Sequence, residues 1–297
     1  MSILYFTITA VFFGRAVGSE SLQALKARIE SLIEGQDAVY GVAFRDLGSG
    51  ETLFVNGGDR MHAASTMKVP VLMRIFEMLE KNQLSLDTEI EIRNQFKSIV
   101  DGSLFSITVD SDEDLYGYEG QARSVAQLLE AMIARSSNLA TNILIQIADA
   151  AAVNKLMERL GVDGIKVLRG VEDIKAFDLG MNNECSAAAM LQVLTALVDP
   201  ANFQLQSIEK MIGILRLQEF NDIIPAGIPE GSGALVAHKT GSISTVQHDA
   251  AIVDLPGGKR YVLVVFARDF GDEREKVKAT GRAVSRAVYD HISGALP

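Results

Sequence analysis

The chain has 297 residues, enough to bury a sizeable core as one large domain or two small ones. Its net charge of -10 argues against a nucleic-acid partner, because the phosphates would be repelled. A single cysteine, Cys185, excludes an intrachain disulfide, so cysteine usage says nothing about the redox compartment.

The N-terminal segment has part of the pattern of an export signal. Residues 3–13 form an apolar run too short to span a bilayer, and the small residues of Ala16-Val17-Gly18 follow it. We therefore expect residues 1–20 to be a signal segment and the protein to be periplasmic or secreted, without a stable membrane span. A positively charged start is missing, so an ordinary core segment remains the alternative.

Strand patterns lie near both ends of the chain. Residues 39–45 and 52–55 predict a hairpin, and strand character returns over 235–238, 250–255 and 261–267. The last of these is apolar on both faces, which predicts a strand that is covered on both sides. These segments can share one antiparallel sheet.

Helical patterns flank the predicted strands and dominate from residue 66 to about residue 217. We predict an α+β fold, in which N- and C-terminal segments build an antiparallel sheet with flanking helices and the middle forms an all-helical part. Between the middle helices, residues 110–114 read as a solvated acidic loop. The individual helices are predicted over 22–33, 125–133, 139–147 and 187–198, with a closing helix marked by Val277, Val284, Val288 and Ile292.

The first motif with chemical meaning is Ser65-Thr66-Met67-Lys68, which opens a helical stretch. Ser65 and Lys68 are three residues apart, so they share a helix face and the amine can reach the hydroxyl. Pro70 lacks an N–H, so the opening turn is not expected to be regular α-helix. A second Ser-x-x-Lys, at Ser207 and Lys210, is interpreted as an ordinary surface pair.

Two further motifs follow in order, Ser136-Ser137-Asn138 before a helical pattern and Lys239-Thr240-Gly241 after a strand pattern. A serine nucleophile needs a base, and a lysine serves as one only if burial or nearby positive charge lowers its pKa. Lys239 is the candidate source of that charge. The structural alternatives are that Ser136 caps the helix and that Lys239 ends a strand in solvent.

Together the three motifs resemble the class A β-lactamase-like serine hydrolases of the β-lactamase and penicillin-binding protein superfamily, over residues 21–295. Asn138 and Asn142 occupy the family's two asparagine places, but Ser137 stands where the family usually has aspartate. We expect one catalytic domain over 21–297. Its sheet subdomain would span about 21–62 and 220–297, and its helical subdomain about 63–219, with the site between them.

The resemblance implies a role for each catalytic residue. Ser65 would attack the amide carbonyl, Lys68 would accept its proton directly or through water, and Ser136 would relay a proton to the leaving nitrogen. Backbone N–H groups of Ser65 and Ser242 would form the oxyanion hole.

The same resemblance assigns substrate-binding roles. Asn138 would hold the side-chain amide of the substrate, while Lys239 and Thr240 would bind its carboxylate. Gly241 would let the substrate lie against the strand.

The segment Arg169-Gly170-Val171-Glu172-Asp173 resembles the family loop that carries the deacylating glutamate, and Glu172 is the candidate base. The family's proline and asparagine places carry Asp173 and Ala176, and Asn183 replaces an acid that closes the loop. Asp173 in a shifted register, or a plainly solvated acidic turn, remain the alternatives.

The resemblance implies a serine hydrolase that opens β-lactams, with a β-lactam or peptidoglycan-like small molecule as substrate, no cofactor and no metal. A monomer is expected. The alternatives are a penicillin-binding D-alanyl-D-alanine peptidase or esterase, and a sensor that is acylated once and then stalls. Gly-x-Ser-x-Gly is absent, which argues against an α/β-hydrolase, and the four histidines lack zinc-ligand spacing.

Overall fold

The structure, a computed structural model, describes residues 21–294, so the predicted signal segment lies outside the described residues. Within that range no helix is long and apolar enough to cross a membrane. The helices are α1 (Leu22–Ile33), α2 (Lys68–Glu80), α3 (Val125–Ala134), α4 (Asn138–Ala148), α5 (Ala150–Arg159), α6 (Ile174–Asp178), α7 (Ala187–Leu197), α8 (Leu205–Leu215), α9 (Ile224–Gly227) and α10 (Arg274–Ser293). The strands are β1 (Val39–Asp46), β2 (Thr52–Val55), β3 (Met61–His62), β4 (Glu89–Glu91), β5 (Phe96–Lys97), β6 (Leu104–Phe105), β7 (Ala122–Ser124), β8 (Ile165–Lys166), β9 (Glu184–Cys185), β10 (Leu235–Ile243), β11 (Val246–Asp254) and β12 (Arg260–Arg268).

A five-stranded antiparallel sheet, ordered β10-β11-β12-β1-β2, joins segments from the two ends of the chain. Strand β1 pairs with β12 in a register that places Val42 opposite Val265. The N-terminal hairpin therefore completes a sheet that the last three strands begin. This arrangement confirms the predicted α+β fold.

Both faces of the sheet are covered, as the apolar pattern of its last strand predicted. Leu263 and Val265 of β12 belong to a buried cluster that includes residues of α1 and α10. Val264 and Phe266, which alternate with them, belong to the larger cluster formed with the middle helices. Side chains on successive strand positions face opposite ways, so one strand contributes to both layers.

Helix α2 is buried around most of its circumference and forms the centre of the helical layer. It contacts α3, α4, α5, α7 and α8. A 3₁₀ turn over Ala64–Met67 precedes it, so the prediction of an irregular opening before Pro70 is confirmed. The division of the chain into sheet and helical subdomains stays a prediction.

Strands β10 and β11 are longer than predicted, because each continues through polar residues. The predicted strands stopped at residue 238 and began at residue 250, whereas β10 ends at Ile243 and β11 begins at Val246. Lys239 is fully buried in β10, as is Asp249 in β11. Their polarity led the sequence pattern to exclude them from the strands. They remain buried within the strands because buried polar groups are paired with polar partners.

Candidate active site

A cavity of about 660 Å³ lies where the 3₁₀ turn, α4, the segment around Glu172 and β10 meet. Its lining brings most of the predicted site residues together. These are Ser65, Ser136, Asn138, Glu172, Thr240 and Ser242.

The Ser65 turn is held by the residues just before it. Ala64 has a φ of 45°, a left-handed conformation that costs a non-glycine residue about 1–3 kcal/mol. Its N–H donates to Nδ1 of His62 at 3.0 Å, and the Thr66 hydroxyl donates to the Ala63 carbonyl at 2.6 Å. The Ser65 hydroxyl makes no hydrogen bond with the residues of 21–294, and it faces the cavity.

Lys68 is fully buried behind the cavity. Its ammonium lies 2.6 Å from the Ser136 carbonyl, 3.0 Å from the Ser136 hydroxyl and 3.2 Å from Oδ1 of Asn138. Burial lowers the pKa of Lys68 to about 7, against the opposing effect of the Asp110 and Glu172 carboxylates. The spacing allows Lys68 to reach the Ser65 hydroxyl directly or through a water; the structure directs the amine at Ser136.

Lys239 is also fully buried, so the alternative of a strand end in solvent is wrong. Its ammonium lies 3.1 Å from the Ser136 hydroxyl and 3.0 Å from the Thr240 carbonyl. Its pKa is well below the ordinary lysine value, mainly because of burial and secondly because of the Lys68 charge. Burial, rather than the charge of Lys239, is likewise the main cause of the shift at Lys68.

Ser136 receives both amines on one hydroxyl and has a φ of 59°, in the left-handed region. It does not cap the helix. Ser137 is the N-cap of α4, and its hydroxyl accepts the Ala140 N–H at 3.2 Å. The capping alternative for Ser136 is therefore wrong.

Gly241 lies where the edge strand β10 passes the Ser65 turn. A β-carbon on this glycine would lie 3.2 Å from the Ser65 nitrogen, 3.2 Å from the Ala63 carbonyl oxygen and 3.1 Å from Cγ2 of Thr66. The missing side chain thus allows the strand to approach the turn. This physical reason differs from the expected one, which was room for substrate.

Glu172 lines the cavity and has a φ of 61°. Its carboxylate makes no hydrogen bond within residues 21–294. Burial is the main cause that raises the pKa of Glu172, and the negative charge of Asp110 acts in the same direction. The positive charges of Arg169 and Lys68 act in the opposite direction. The carboxyl is half-buried and faces the cavity, which argues against a solvated turn.

Asp173 does not share that position. Its carboxylate accepts the Ser98 hydroxyl and the Ile99 N–H, each at 2.9 Å, and it is the N-cap of α6. It is buried and its oxygens are occupied. This geometry favours Glu172 over Asp173 as the group available to a water.

The segment before Glu172 is fastened to α4. Oδ1 of Asn142 accepts the Val171 N–H at 2.7 Å, and its Nδ2 donates to the Val171 carbonyl at 2.9 Å. A β-carbon on Gly170 would lie 2.3 Å from Oδ1 of Asn142, so this position requires glycine. Asn183 closes the loop from the other side, accepting the Leu168 and Arg169 N–H groups.

Sequence reasoning missed Arg274, which begins α10 and lines the cavity beside Ser242. Its guanidinium donates to the Ser242 hydroxyl, to Oε1 of Gln247 at 2.9 Å and to the Ile243 carbonyl at 2.8 Å. No local motif marks it. Only the pairing of the sheet brings the start of α10 to this end of β10.

The predicted solvated acidic loop over residues 110–114 is wrong for two of its acids. Asp112 is 2% exposed and pairs with Arg135 at 3.0 Å. Asp110 lines the cavity and accepts the Asn138 and Leu139 N–H groups. Residues 110–114 contain no apolar residues at helix or strand spacing, so the sequence alone does not predict that these carboxylates are buried or paired.

The histidines near the cavity have structural partners. Burial lowers the pKa of His62 and of His248 to about 4, and the buried His238 lies 2.8 Å from Oδ1 of Asp249. No group of three or more histidine, cysteine or acidic residues in the described part of the chain is placed to hold a metal ion.

A sequence model of the "Beta-lactamase enzyme family" matches residues 24–292, and the chain belongs to this family. A β-lactamase from Bacteroides uniformis is 23% identical over 309 residues, which cover 98% of this chain and 99% of that protein. The extended-spectrum β-lactamase PER-1 from Pseudomonas aeruginosa is 24% identical, with 95% and 92% covered. The solved structure of PBP-A is 26% identical with a TM-score of 0.80, covering 92% of this chain and 97% of that one. A PBP-A mutant has been solved as its acyl-enzyme complex with penicillin G.

Proposed function

We propose that the protein is a class A serine β-lactamase that opens β-lactam amides through an acyl-enzyme on Ser65. The observation that carries this proposal is the pair of buried lysines, Lys68 and Lys239, directed at the Ser136 hydroxyl behind a cavity that Ser65 lines. Family membership supports β-lactam hydrolysis, and the acyl-enzyme described for the PBP-A mutant supports the covalent step.

Acylation begins with neutral Lys68. With a pKa of about 7, a substantial fraction of this amine is unprotonated near neutral pH and can take the Ser65 proton, directly or through a water. The Ser65 oxygen bonds to the lactam carbonyl carbon, and charge on the carbonyl oxygen is stabilised by the Ser65 and Ser242 N–H groups. The carbon–nitrogen bond then breaks, and Ser136 passes the proton to the leaving nitrogen.

Substrate binding divides between the two ends of the cavity. Asn138 donates to the side-chain amide of the substrate, while Lys239 and Thr240 hold its carboxylate. A carboxylate beside buried Lys239 raises the pKa of that amine, because an opposite charge favours the ammonium form. Binding of the anion therefore restores the charge that burial disfavours.

Deacylation is assigned to Glu172. Its carboxylate takes a proton from a water while the water oxygen bonds to the ester carbon. The ester bond to Ser65 then breaks, and the Ser65 oxygen takes up the proton that Glu172 accepted, so both groups are restored. Burial raises the pKa of Glu172, which strengthens it as a base so long as it remains ionised.

A second candidate is a penicillin-binding D-alanyl-D-alanine peptidase, esterase or sensor that makes the same acyl-enzyme but releases it slowly. One observation favours it: the buried Ala176 occupies the family's water-holding asparagine place, and a buried Asp173 occupies the place of its proline.

The test is intact mass over time after mixing with penicillin G. If the protein is a β-lactamase, the parent forms a transient adduct and opens many molecules of penicillin per molecule of enzyme. The Glu172→Gln variant then forms a lasting adduct. A parent adduct that persists for hours transfers the assignment to the slow-release candidate. Full turnover by Glu172→Gln removes Glu172 from the mechanism.

The setting of this activity is also proposed. We assign the protein to the periplasm or the exterior of the cell, because residues 1–20 have the partial signal pattern described above. We also propose that it acts as a monomer on small-molecule β-lactams. Mature N-terminal sequencing and light scattering test the two statements separately.

A further inference from the structure

The segment of residues 109–111, the clamp segment, contacts the stretch that carries Ser136 and Asn138 at three successive positions. The Val109 carbonyl accepts Nδ2 of Asn138 at 3.2 Å. The Ser111 hydroxyl donates chiefly to the Arg135 carbonyl at 2.7 Å, with the Ser136 carbonyl at 3.3 Å. Between them, Asp110 directs its carboxylate at the start of α4.

The Asp110 carboxylate has a full set of partners. It accepts the Asn138 N–H at 2.8 and 2.9 Å to its two oxygens, the Leu139 N–H at 2.9 Å and the Tyr116 hydroxyl at 2.9 Å. The first N–H groups of a helix have no partner within the helix, and a negative charge is favourable there. Ser137, where the family usually has an acid, supplies one hydroxyl acceptor to Ala140.

We propose that Asp110 is a positioning residue that substitutes, from another segment, for the acid missing at position 137. It fixes the backbone of Asn138 and thereby the left-handed Ser136 next to it, whose hydroxyl receives Lys68 and Lys239. A left-handed serine persists only where its surroundings enforce it. The inference rests on the proposed roles of Ser136 and Asn138.

Asp110 also acts on Lys68 through its charge. The carboxylates of Asp110 and Glu172 both raise the pKa of that amine, the Lys239 ammonium is the neighbouring cation, and burial acts in the opposite direction from the two acids. Removal of Asp110 is therefore expected to loosen the Ser136 segment and to lower the pKa of Lys68.

The test compares Asp110→Ala, the exposed control Glu113→Gln from the same loop, and the double variant Asp110→Ala/Ser137→Asp. Two measurements are made: the second-order rate of acylation by penicillin G from pH 5 to 9, and hydrogen exchange of the Asn138 and Leu139 amides. Asp110→Ala should acylate roughly 10- to 100-fold more slowly, the scale of a misplaced catalytic group. The acid limb of its pH–rate profile should move to lower pH, because the Asp110 charge no longer raises the pKa of Lys68. The Asn138 and Leu139 amides should exchange faster.

Glu113→Gln should acylate at the parent rate. The double variant Asp110→Ala/Ser137→Asp should recover most of the rate that Asp110→Ala loses, because it restores an acid at the helix start. Unchanged acylation and unchanged exchange in Asp110→Ala would overturn the proposal, as would a slow variant that Ser137→Asp fails to rescue. If Asp110→Ala does not fold, Asp110→Asn, which keeps one acceptor oxygen, replaces it and should give a smaller loss of the same kind. A parent that penicillin never acylates disproves the proposed function, whereas amide exchange still decides the role of Asp110.

Discussion

Gly241 and Ser65 lie so close that a β-carbon on the glycine would sit 3.2 Å from the serine nitrogen. The strand proposed to bind substrate thus packs directly against the turn proposed to carry the nucleophile. Two of the three nearest atoms to that β-carbon belong to the backbone, which cannot rotate away.

Gly241→Ala should therefore displace the Ser65 turn and reduce the acylation rate by about 10- to 100-fold, as expected for a misplaced reacting group. The matched control is Gly213→Ala in α8, where a β-carbon meets nothing within 4 Å. That control should keep full activity and gain up to about 1 kcal/mol in unfolding free energy, because alanine favours helix. Equal activity in the two variants would contradict the packing argument.

The loop before Glu172 depends on the two hydrogen bonds between Asn142 and Val171. Asn142→Ala removes the partner of both backbone groups of the half-buried Val171, which costs up to about 1–3 kcal/mol per group. Deacylation should slow more than acylation, measured as a longer-lived penicillin adduct by intact mass.

Asn154 provides the matched control, because it holds Val167 by the same two bonds, at 2.6 and 2.9 Å, outside the cavity lining. Asn154→Ala should lower the unfolding free energy comparably without prolonging the adduct. An adduct of equal lifetime in both variants would mean that general destabilisation, and not the loop, controls deacylation.

Acylation should depend on pH through Lys68. Because the neutral amine is the base and its pKa is about 7, the second-order acylation rate should rise with pH through about 7 and then level. Glu172→Gln removes a charge that raises the pKa of Lys68, so the rise of the acylation rate should shift to lower pH in this variant. A rate that is flat between pH 5 and 8 would exclude Lys68 as the base.

Lys239→Ala should reduce attack on carboxylate-bearing β-lactams far more than attack on a neutral ester such as nitrophenyl acetate. Some loss on both substrates is expected, because the Lys239 ammonium also contacts the Ser136 hydroxyl at 3.1 Å. The comparison uses kcat/KM for each substrate. Equal losses would count against carboxylate binding by Lys239.

The parts of the site that sequence predicts are those contained in short contiguous motifs. Ser65 and Lys68 are three residues apart, so spacing alone places them on one helix face. The pairing of Ser136 with Asn138 follows from the resemblance of their motif. Their meeting with Lys239 was expected only from the resemblance. In the structure Ser65, Ser136 and Asn138 line one cavity, and the buried Lys68 and Lys239 reach it through the Ser136 hydroxyl.

What sequence did not predict depends on tertiary contacts. Asp110 looks like part of a solvated acidic run until α4 places two unpaired N–H groups against it. Arg274 reaches the cavity only because of strand order. The lengths of β10 and β11 were underestimated since buried Lys239 and Asp249 interrupt the apolar pattern without interrupting the strands.

The most direct test of the central claim is to locate the serine that penicillin acylates. Labelled penicillin G, followed by peptide mapping, should place the label on Ser65, and Ser65→Ala should abolish labelling while leaving the unfolding temperature nearly unchanged. The other Ser-x-x-Lys serine, Ser207, was predicted to lie at the surface, but the structure buries it in α8, outside the cavity lining. Label on Ser207, or undiminished labelling of Ser65→Ala, would contradict the account.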